Sequence, residues 1–212
     1  EIGRWRRHLF QGLAETVGQA QAESQQQAFH VYNEARDTAE TTARKTAKSD
    51  REVIDAIRKD PAVVAALGVA RAAVSKENVP AAAREQVSTA LIAVDQPEQA
   101  AQLSMQTLAR EPDNRDALNN LSQARYSLGH YREAIENATR LAQKDPNNEA
   151  AYTTRALSLY YSGEYLKAAE DAKRALALNK NNDIAMATLR MAETKIQPSD
   201  LRLDAIAAAQ AA

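Results

Sequence analysis

The sequence predicts an all-α fold built from stacked pairs of helices, and three observations lead to this prediction. Residues 128–148, LGHYREAIENATRLAQKDPNN, match residues 162–182, SGEYLKAAEDAKRALALNKNN, without a gap at an offset of 34 residues. Only six Gly and six Pro occur among 212 residues, which leaves little material for hairpin turns. Between the repeated turns, apolar residues recur at the three- and four-residue steps of a helix.

The repeat has the same punctuation in each copy. Gly129 and Gly163 fall between two apolar stripes, where a helix end needs a residue that tolerates a left-handed conformation. Pro112 and Pro146 each open a polar turn, and such a turn ends the second helix because Pro cannot continue it. Small residues at 66, 100, 134 and 168 keep one register. The repeating unit is therefore a helix, a short turn, a second helix and a longer turn.

This pattern resembles the tetratricopeptide repeat family, whose 34-residue helix pairs carry small and large residues at set places. With Arg115 as the first residue of a copy, the residues that match are Leu118, Leu121, Ser122, Tyr131, Ala134, Ala138 and Pro146. The next copy matches at Tyr152, Ala156, Leu159, Tyr165, Ala168 and Ala175. Arg125 and Arg155 depart from the pattern, as do Arg84 and Asp95 in the copy at 81–114. The resemblance implies a right-handed superhelical solenoid of antiparallel helix pairs.

Four segments are predicted along the chain. Residues 1–47 form a long amphipathic helix, 48–80 a degenerate helix pair, 81–196 the repeats, and 197–212 a capping helix behind Pro198. The apolar stripe of the first helix is Leu9, Leu13, Val17, Ala20, Ala28, Val31, Ala35, Ala39 and Ala43. Two arrangements are open for this helix. It packs along the solenoid as a cap, or residues 5–47 pair with a second copy of the chain or with a helix of another protein.

Composition excludes several classes of partner. A net charge of −1 and a pI near 6.4 provide no excess of cations for a nucleic-acid backbone. No apolar run approaches the roughly 20 residues that span a bilayer. The first residue is Glu1 rather than Met, so we expect a soluble piece of a larger or anchored protein, in which an upstream signal would not be visible. The compartment stays open between cytoplasm and periplasm.

No catalytic, metal or cofactor motif is found in the sequence. The chain has no Cys, and its three His residues, His8, His30 and His130, are far apart. HExxH, GxSxG and Gly-rich phosphate loops are all missing. Carboxylates on the second helices stand beside Lys and Arg, so helix-surface ion pairing explains them. The sequence therefore predicts a protein that is not an enzyme and needs no cofactor.

The resemblance implies a binding groove, because the first helices of stacked repeats line the concave face. The predicted partner-binding residues are Gln86, Thr89, Asn119, Asn120, Gln123, Tyr126, Thr153, Thr154, Leu157 and Tyr160. Asn and Gln offer a donor and an acceptor to a peptide backbone, and Tyr adds apolar area with a polar tip. Inter-helix packing is the alternative for Tyr160, and more so for its neighbour Tyr161.

Some family members clamp a peptide's terminal carboxylate with Lys or Arg and Asn side chains. Asn120 matches one Asn of that clamp, but its basic places hold Glu85, Thr89, Ala150, Ile184 and Thr188. A terminal carboxylate would lack its counter-charge, so this mode of binding is not expected.

The leading functional hypothesis is a non-catalytic scaffold that binds a peptide or helix of a partner protein in its concave groove. Two alternatives stay open. The chain is a structural subunit that assembles through its N-terminal helix or the solenoid ends, or it is an accessory domain of a larger, membrane-linked protein.

Overall fold

A computed structural model describes residues 2–47, 49–76 and 79–197, with the side chains of 2–21, 50 and 51 left outside the description. The described residues form ten α-helices and no β-strand, which confirms the all-α prediction. The helices are α1 (Ile2–Ala43), α2 (Asp50–Lys59), α3 (Pro61–Val74), α4 (Ala81–Ala93), α5 (Pro97–Arg110), α6 (Arg115–Ser127), α7 (Tyr131–Lys144), α8 (Glu149–Tyr161), α9 (Tyr165–Leu178) and α10 (Asp183–Glu193). None of the described helices is both long and apolar enough to cross a bilayer.

The chain divides into two compact units, residues 1–107 (unit 1) and 108–212 (unit 2). In unit 1, α1 packs against α2 and α3. The buried stripe of its described side chains is Ala28, Tyr32, Ala39 and Ala43. Tyr32 is only 3% exposed whereas Val31, which the sequence places in the stripe, is 44% exposed. The aromatic ring covers more apolar surface than valine and therefore turns the helix face towards Tyr32. Pairing with a second copy through residues 5–47 stays a prediction.

Unit 1 also explains Arg84, one of the departures from the repeat pattern. Its guanidinium is buried and donates from Nε to the carbonyl of Val74 at 3.4 Å and from Nη2 to the carbonyl of Lys76 at 3.3 Å. Carbonyls at the end of a helix have no intrahelical donor. Arg84 therefore ties the first turn of α4 to the C-terminal end of α3.

Unit 2 is an antiparallel stack of α6 to α10 in which each helix packs on the next. Its interior is mostly alanine, and the fully buried alanines are Ala117, Ala124, Ala134, Ala138, Ala151, Ala156, Ala168, Ala172, Ala175, Ala185 and Ala192. Small side chains let the helix backbones approach closely. Leu118 and Leu141 are the large residues of one apolar cluster, which also includes Ala142 and Ala151. The core of unit 2 therefore combines close helix contacts with a few large side chains.

The short turns of the repeats share one backbone geometry. Asp95, Gly129 and Gly163 lie 34 residues apart and have positive φ angles of 63°, 75° and 84°. In each turn this residue donates its N–H to the carbonyl three residues back, and the next residue donates to the carbonyl five back. Asp95 is thus no true departure from the pattern, because aspartate is among the few non-glycine residues that tolerate this conformation.

The longer turns end at helix caps that repeat with the same period. Asn114, Asn148 and Asn182 each accept a hydrogen bond on Oδ1 from the N–H of the alanine three residues on, at 3.0, 3.1 and 2.8 Å. Asn is among the strongest N-cap residues because its side chain satisfies an orphan backbone donor. The predicted capping helix at 197–212 lies outside the described residues, which end at 197.

Candidate partner-binding site

The first helices of unit 2 lie side by side, since α8 contacts both α6 and α10. Their side chains at equivalent repeat positions therefore share one face. Asn119, Gln123 and Tyr126 from α6 and Leu157 and Tyr160 from α8 are half-buried, so each keeps some surface open. We call these five residues the groove face.

Two amides form a ladder on α6. Gln123 donates from Nε2 to Oδ1 of Asn119 at 3.1 Å, one helical turn away. This bond leaves Nδ2 of Asn119 as a donor and Oε1 of Gln123 as an acceptor. A peptide group needs one of each.

The other predicted residues of unit 2 lie deeper. Asn120 is 4% exposed, and Thr153 and Thr154 are buried on α8. The hydroxyl of Thr153 donates to the carbonyl of Glu149 at 3.0 Å and accepts from Nδ2 of Asn182 at 2.8 Å. That same amide also donates to the Glu149 carboxylate. These contacts join α8 to the N-terminal end of α10, so Thr153 has structural work besides any contact with a ligand.

The two predicted residues of unit 1, Gln86 and Thr89, are exposed on α4. Thr89 donates its hydroxyl to the carbonyl of Glu85 at 3.0 Å. Gln86 lines a cavity between α1 and α4 rather than an open helix face.

The structure gathers five tyrosines, of which the sequence predicted two, Tyr126 and Tyr160, as site residues. Tyr161 stacks on Tyr131 with ring centroids 5.3 Å apart and an interplanar angle of 15°. It also contacts Tyr126 at 6.0 Å and yet is 51% exposed. Tyr165 meets Tyr160 at 5.5 Å. The 34-residue spacing of Tyr131 and Tyr165 was the signal for this tyrosine cluster, because equivalent places in neighbouring repeats lie close together.

Tyr126 is the titratable group that the cluster changes most clearly. Burial raises the pKa of Tyr126 from 10.0 to about 12, with smaller contributions from Tyr161 and Tyr131. The neutral phenol is therefore favoured in the folded state, where it can donate or accept a hydrogen bond.

We expect Tyr126 to make unfolding pH-dependent at alkaline pH. A folded-state pKa above the unfolded value gives a stabilisation that is complete below about pH 10 and is lost as pH rises through about 12. NMR of protein labelled at tyrosine Cζ would follow each phenol, with Tyr126→Phe assigning the signal. Urea titrations between pH 9 and 12 should show a steeper loss of stability for the wild type than for Tyr126→Phe. Equal slopes would contradict the expectation.

Arg155, which departs from the repeat pattern, forms a two-pronged ion pair with Asp171. Its Nε donates to Oδ2 at 2.6 Å and its Nη2 to Oδ1 at 2.7 Å, while Nη1 donates to the Thr139 hydroxyl at 3.2 Å. The hydrogen bonds to Asp171 hold the pKa of the Arg155 guanidinium above its ordinary value. The pair links α8 to α9 in a place where the family has leucine.

No group of three or more His, Asp or Glu residues suited to a metal ion occurs among the residues that the structure describes. His130 lies in a turn with its Nδ1 3.2 Å from Nη1 of Arg125.

Comparison with known families agrees with this geometry. Residues 115–148, which cover α6, α7 and the turn after them, match the family model for the tetratricopeptide repeat. This chain carries tetratricopeptide repeats. No curated protein matches the chain in sequence.

Several solved structures of tetratricopeptide repeat domains share the fold. The first such domain of human RPAP3 is 18% identical over 54% of this chain and 91% of that one, with a TM-score of 0.52. The Sgt2 domain from Aspergillus fumigatus is 22% identical over 57% and 81%, with a TM-score of 0.53. The first repeat domain of Spaghetti (RPAP3), bound to the HSP90 peptide SRMEEVD, is 18% identical over 54% and 90%, with a TM-score of 0.51. At these identities the likeness is one of fold.

Proposed function

We propose that the protein is a non-catalytic scaffold that binds a peptide or helix of a partner protein on the groove face of unit 2. Asn120, Thr153 and Thr154 contribute at the floor of this site, and Gln86 and Thr89 belong to a separate surface in unit 1. The repeat fold supports the proposal, since stacked helix pairs offer a surface without a catalytic centre.

The amide ladder of Asn119 and Gln123 is the observation that carries the proposal. Because the two amides bond to each other, their side chains are held in place before a ligand arrives, which lowers the entropy lost on binding. Their remaining donor and acceptor suit a peptide group. Leu157, Tyr126 and Tyr160 add apolar surface beside them.

The charge of the site favours a segment without a cluster of acidic side chains. The related Spaghetti domain binds the acidic peptide SRMEEVD. In this chain, the places that are basic in the family's carboxylate clamp hold residues such as Ala150, Ile184 and Thr188, and Ile184 is largely exposed. An apolar or uncharged polar segment would bind here without leaving a carboxylate unpaired.

The test compares two matched double variants. Asn119→Ala/Gln123→Ala removes the ladder, and Asn147→Ala/Gln143→Ala removes the same residue types from exposed places on and beside α7. Circular dichroism would first establish that both are folded. A partner captured from the source lysate by the wild type should bind the first variant roughly 30-fold more weakly, if two hydrogen bonds of about 1 kcal/mol each are lost.

The control variant should bind the same partner as tightly as the wild type. A photo-crosslinker placed at Tyr126 should label the bound segment, and sequencing of the adduct would identify it. Equal retention of the partner by both double variants would contradict the proposal and move the site away from the groove face.

A further inference from the structure

A second cavity lies wholly within unit 1, between α1 and α4, and has a volume of about 450 Å³. Val74 and Val87, each 2% exposed, line its buried side, and the half-buried ring of Phe29 lines it from α1. This volume is within the range of about 300–1,000 Å³ that encloses small ligands in proteins. We call this cavity the slot.

Four carboxamides line the slot beside these apolar residues. Gln25, Gln26 and Asn33 come from α1, and Gln86 comes from α4. Among the residues that the structure describes, no side-chain hydrogen bond is recorded for any of the four. His30, which also lines the slot, pairs instead with Glu34 at 3.2 Å. The slot therefore has amide donors and acceptors that the described part of the fold does not use.

The lining also excludes charged ligands on physical grounds. Of the described residues around the slot, none is Asp, Glu, Lys or Arg. A phosphate, carboxylate or ammonium group that entered would lose its hydration and find no counter-charge. An uncharged apolar side chain would meet Phe29, Val74 and Val87, and the peptide groups on either side of it would meet the carboxamides.

We propose that the slot binds an extended, uncharged segment of a partner protein, with one leucine-sized side chain against Phe29, Val74 and Val87. Gln86 and the α1 carboxamides pair with the peptide groups that flank this side chain. The site differs from the groove face in its residues and in its unit of the fold. α1 thus serves as one wall of a second binding site besides packing on α2 and α3.

The experiment uses three capped pentapeptides as probes, acetyl-Gly-Ser-X-Ser-Gly-amide with X as Leu, Lys or Glu. NMR of the ¹⁵N-labelled full chain should show the Leu peptide shifting the amide signals of Phe29 and Val87 at millimolar concentrations, the range expected of so short a ligand. The Lys and Glu peptides should leave these signals in place. The groove variant Asn119→Ala/Gln123→Ala should bind the Leu peptide as the wild type does, which separates this proposal from the previous one.

Two exposed alanines of α4 provide matched variants. Ala82 lines the slot and Ala93 does not. Ala82→Leu should weaken binding of the Leu peptide roughly tenfold, because its side chain fills part of the volume, whereas Ala93→Leu should change nothing. Gln86→Met keeps the length of the side chain and removes the carboxamide, so we expect a loss of roughly threefold to tenfold.

Three results would overturn the proposal. They are the absence of shifts at Phe29 and Val87 up to the solubility limit of the Leu peptide, equal binding of the Lys or Glu peptide, and unchanged binding by a folded Ala82→Leu variant.

Discussion

Replacing Leu118 with alanine should lower the free energy of unfolding of unit 2 by about 2–5 kcal/mol. Leu118 is fully buried and packs in one cluster with Leu141, Ala142 and Ala151, against the partly buried Leu108 and Tyr152. The neighbouring helices already meet through alanines, so their backbones have little room to move inward and fill the cavity. We therefore expect a loss towards the upper end of this range.

Urea denaturation followed by circular dichroism would measure this loss. Leu157→Ala is the matched control, because it removes the same atoms from a half-buried place on α8. Its expected loss is less than half that of Leu118→Ala, since about 25 cal/mol accompanies each Å² of apolar surface removed from water and Leu157 buries less of it. Equal losses for the two variants would show that the interior around Leu118 collapses onto the cavity.

The second large effect should come from breaking the Arg155–Asp171 pair. Asp171→Ala removes both oxygens that accept from the Arg155 guanidinium, whose side chain is only 20% exposed. A half-buried cation would then keep Thr139 as its remaining acceptor among the side chains recorded around it. We expect a loss of about 2–4 kcal/mol, because an uncompensated charge is left away from water.

The double variant Arg155→Leu/Asp171→Leu should behave differently from the single one. Apolar residues of similar volume commonly replace a buried ion pair with little loss of stability. We expect this variant to unfold within about 1 kcal/mol of the wild type, and a double-mutant cycle in urea would measure the difference. A double variant as unstable as Asp171→Ala would mean that the pair contributes stability beyond neutralising its own charges.

The turns were the part of the fold most open to prediction. Their glycines, prolines and asparagines are constrained by the local backbone, so a 34-residue offset in the letters corresponds to a 34-residue offset in geometry. The helix bounds in unit 2 follow from these turns. Asp95 was misread because its side chain differs from glycine, although its φ of 63° gives the same turn.

The candidate site was less predictable. The register of the repeat places Asn119, Gln123, Tyr126, Leu157 and Tyr160 on the groove face, and it names their equivalents without showing how deep each one lies. The depth of Thr153 depends on Asn182, which lies 29 residues further along the chain. Tyr161 stays exposed while stacking on Tyr131, because the packing of α7 against α8 brings the two rings together.

The sequence by itself determined the all-α class, the repeat length, the turns and the family, since all of these depend on residues close together in the chain. Only the tertiary structure decided what the unusual residues do. Arg84 and Arg155 find their partners on other helices, and Tyr32 replaces Val31 in the buried stripe of α1. The slot likewise exists only because α1 and α4, more than forty residues apart, face each other across it. Hydrogen bonds and packing between distant residues depend on helix orientation, which the repeat period alone does not specify.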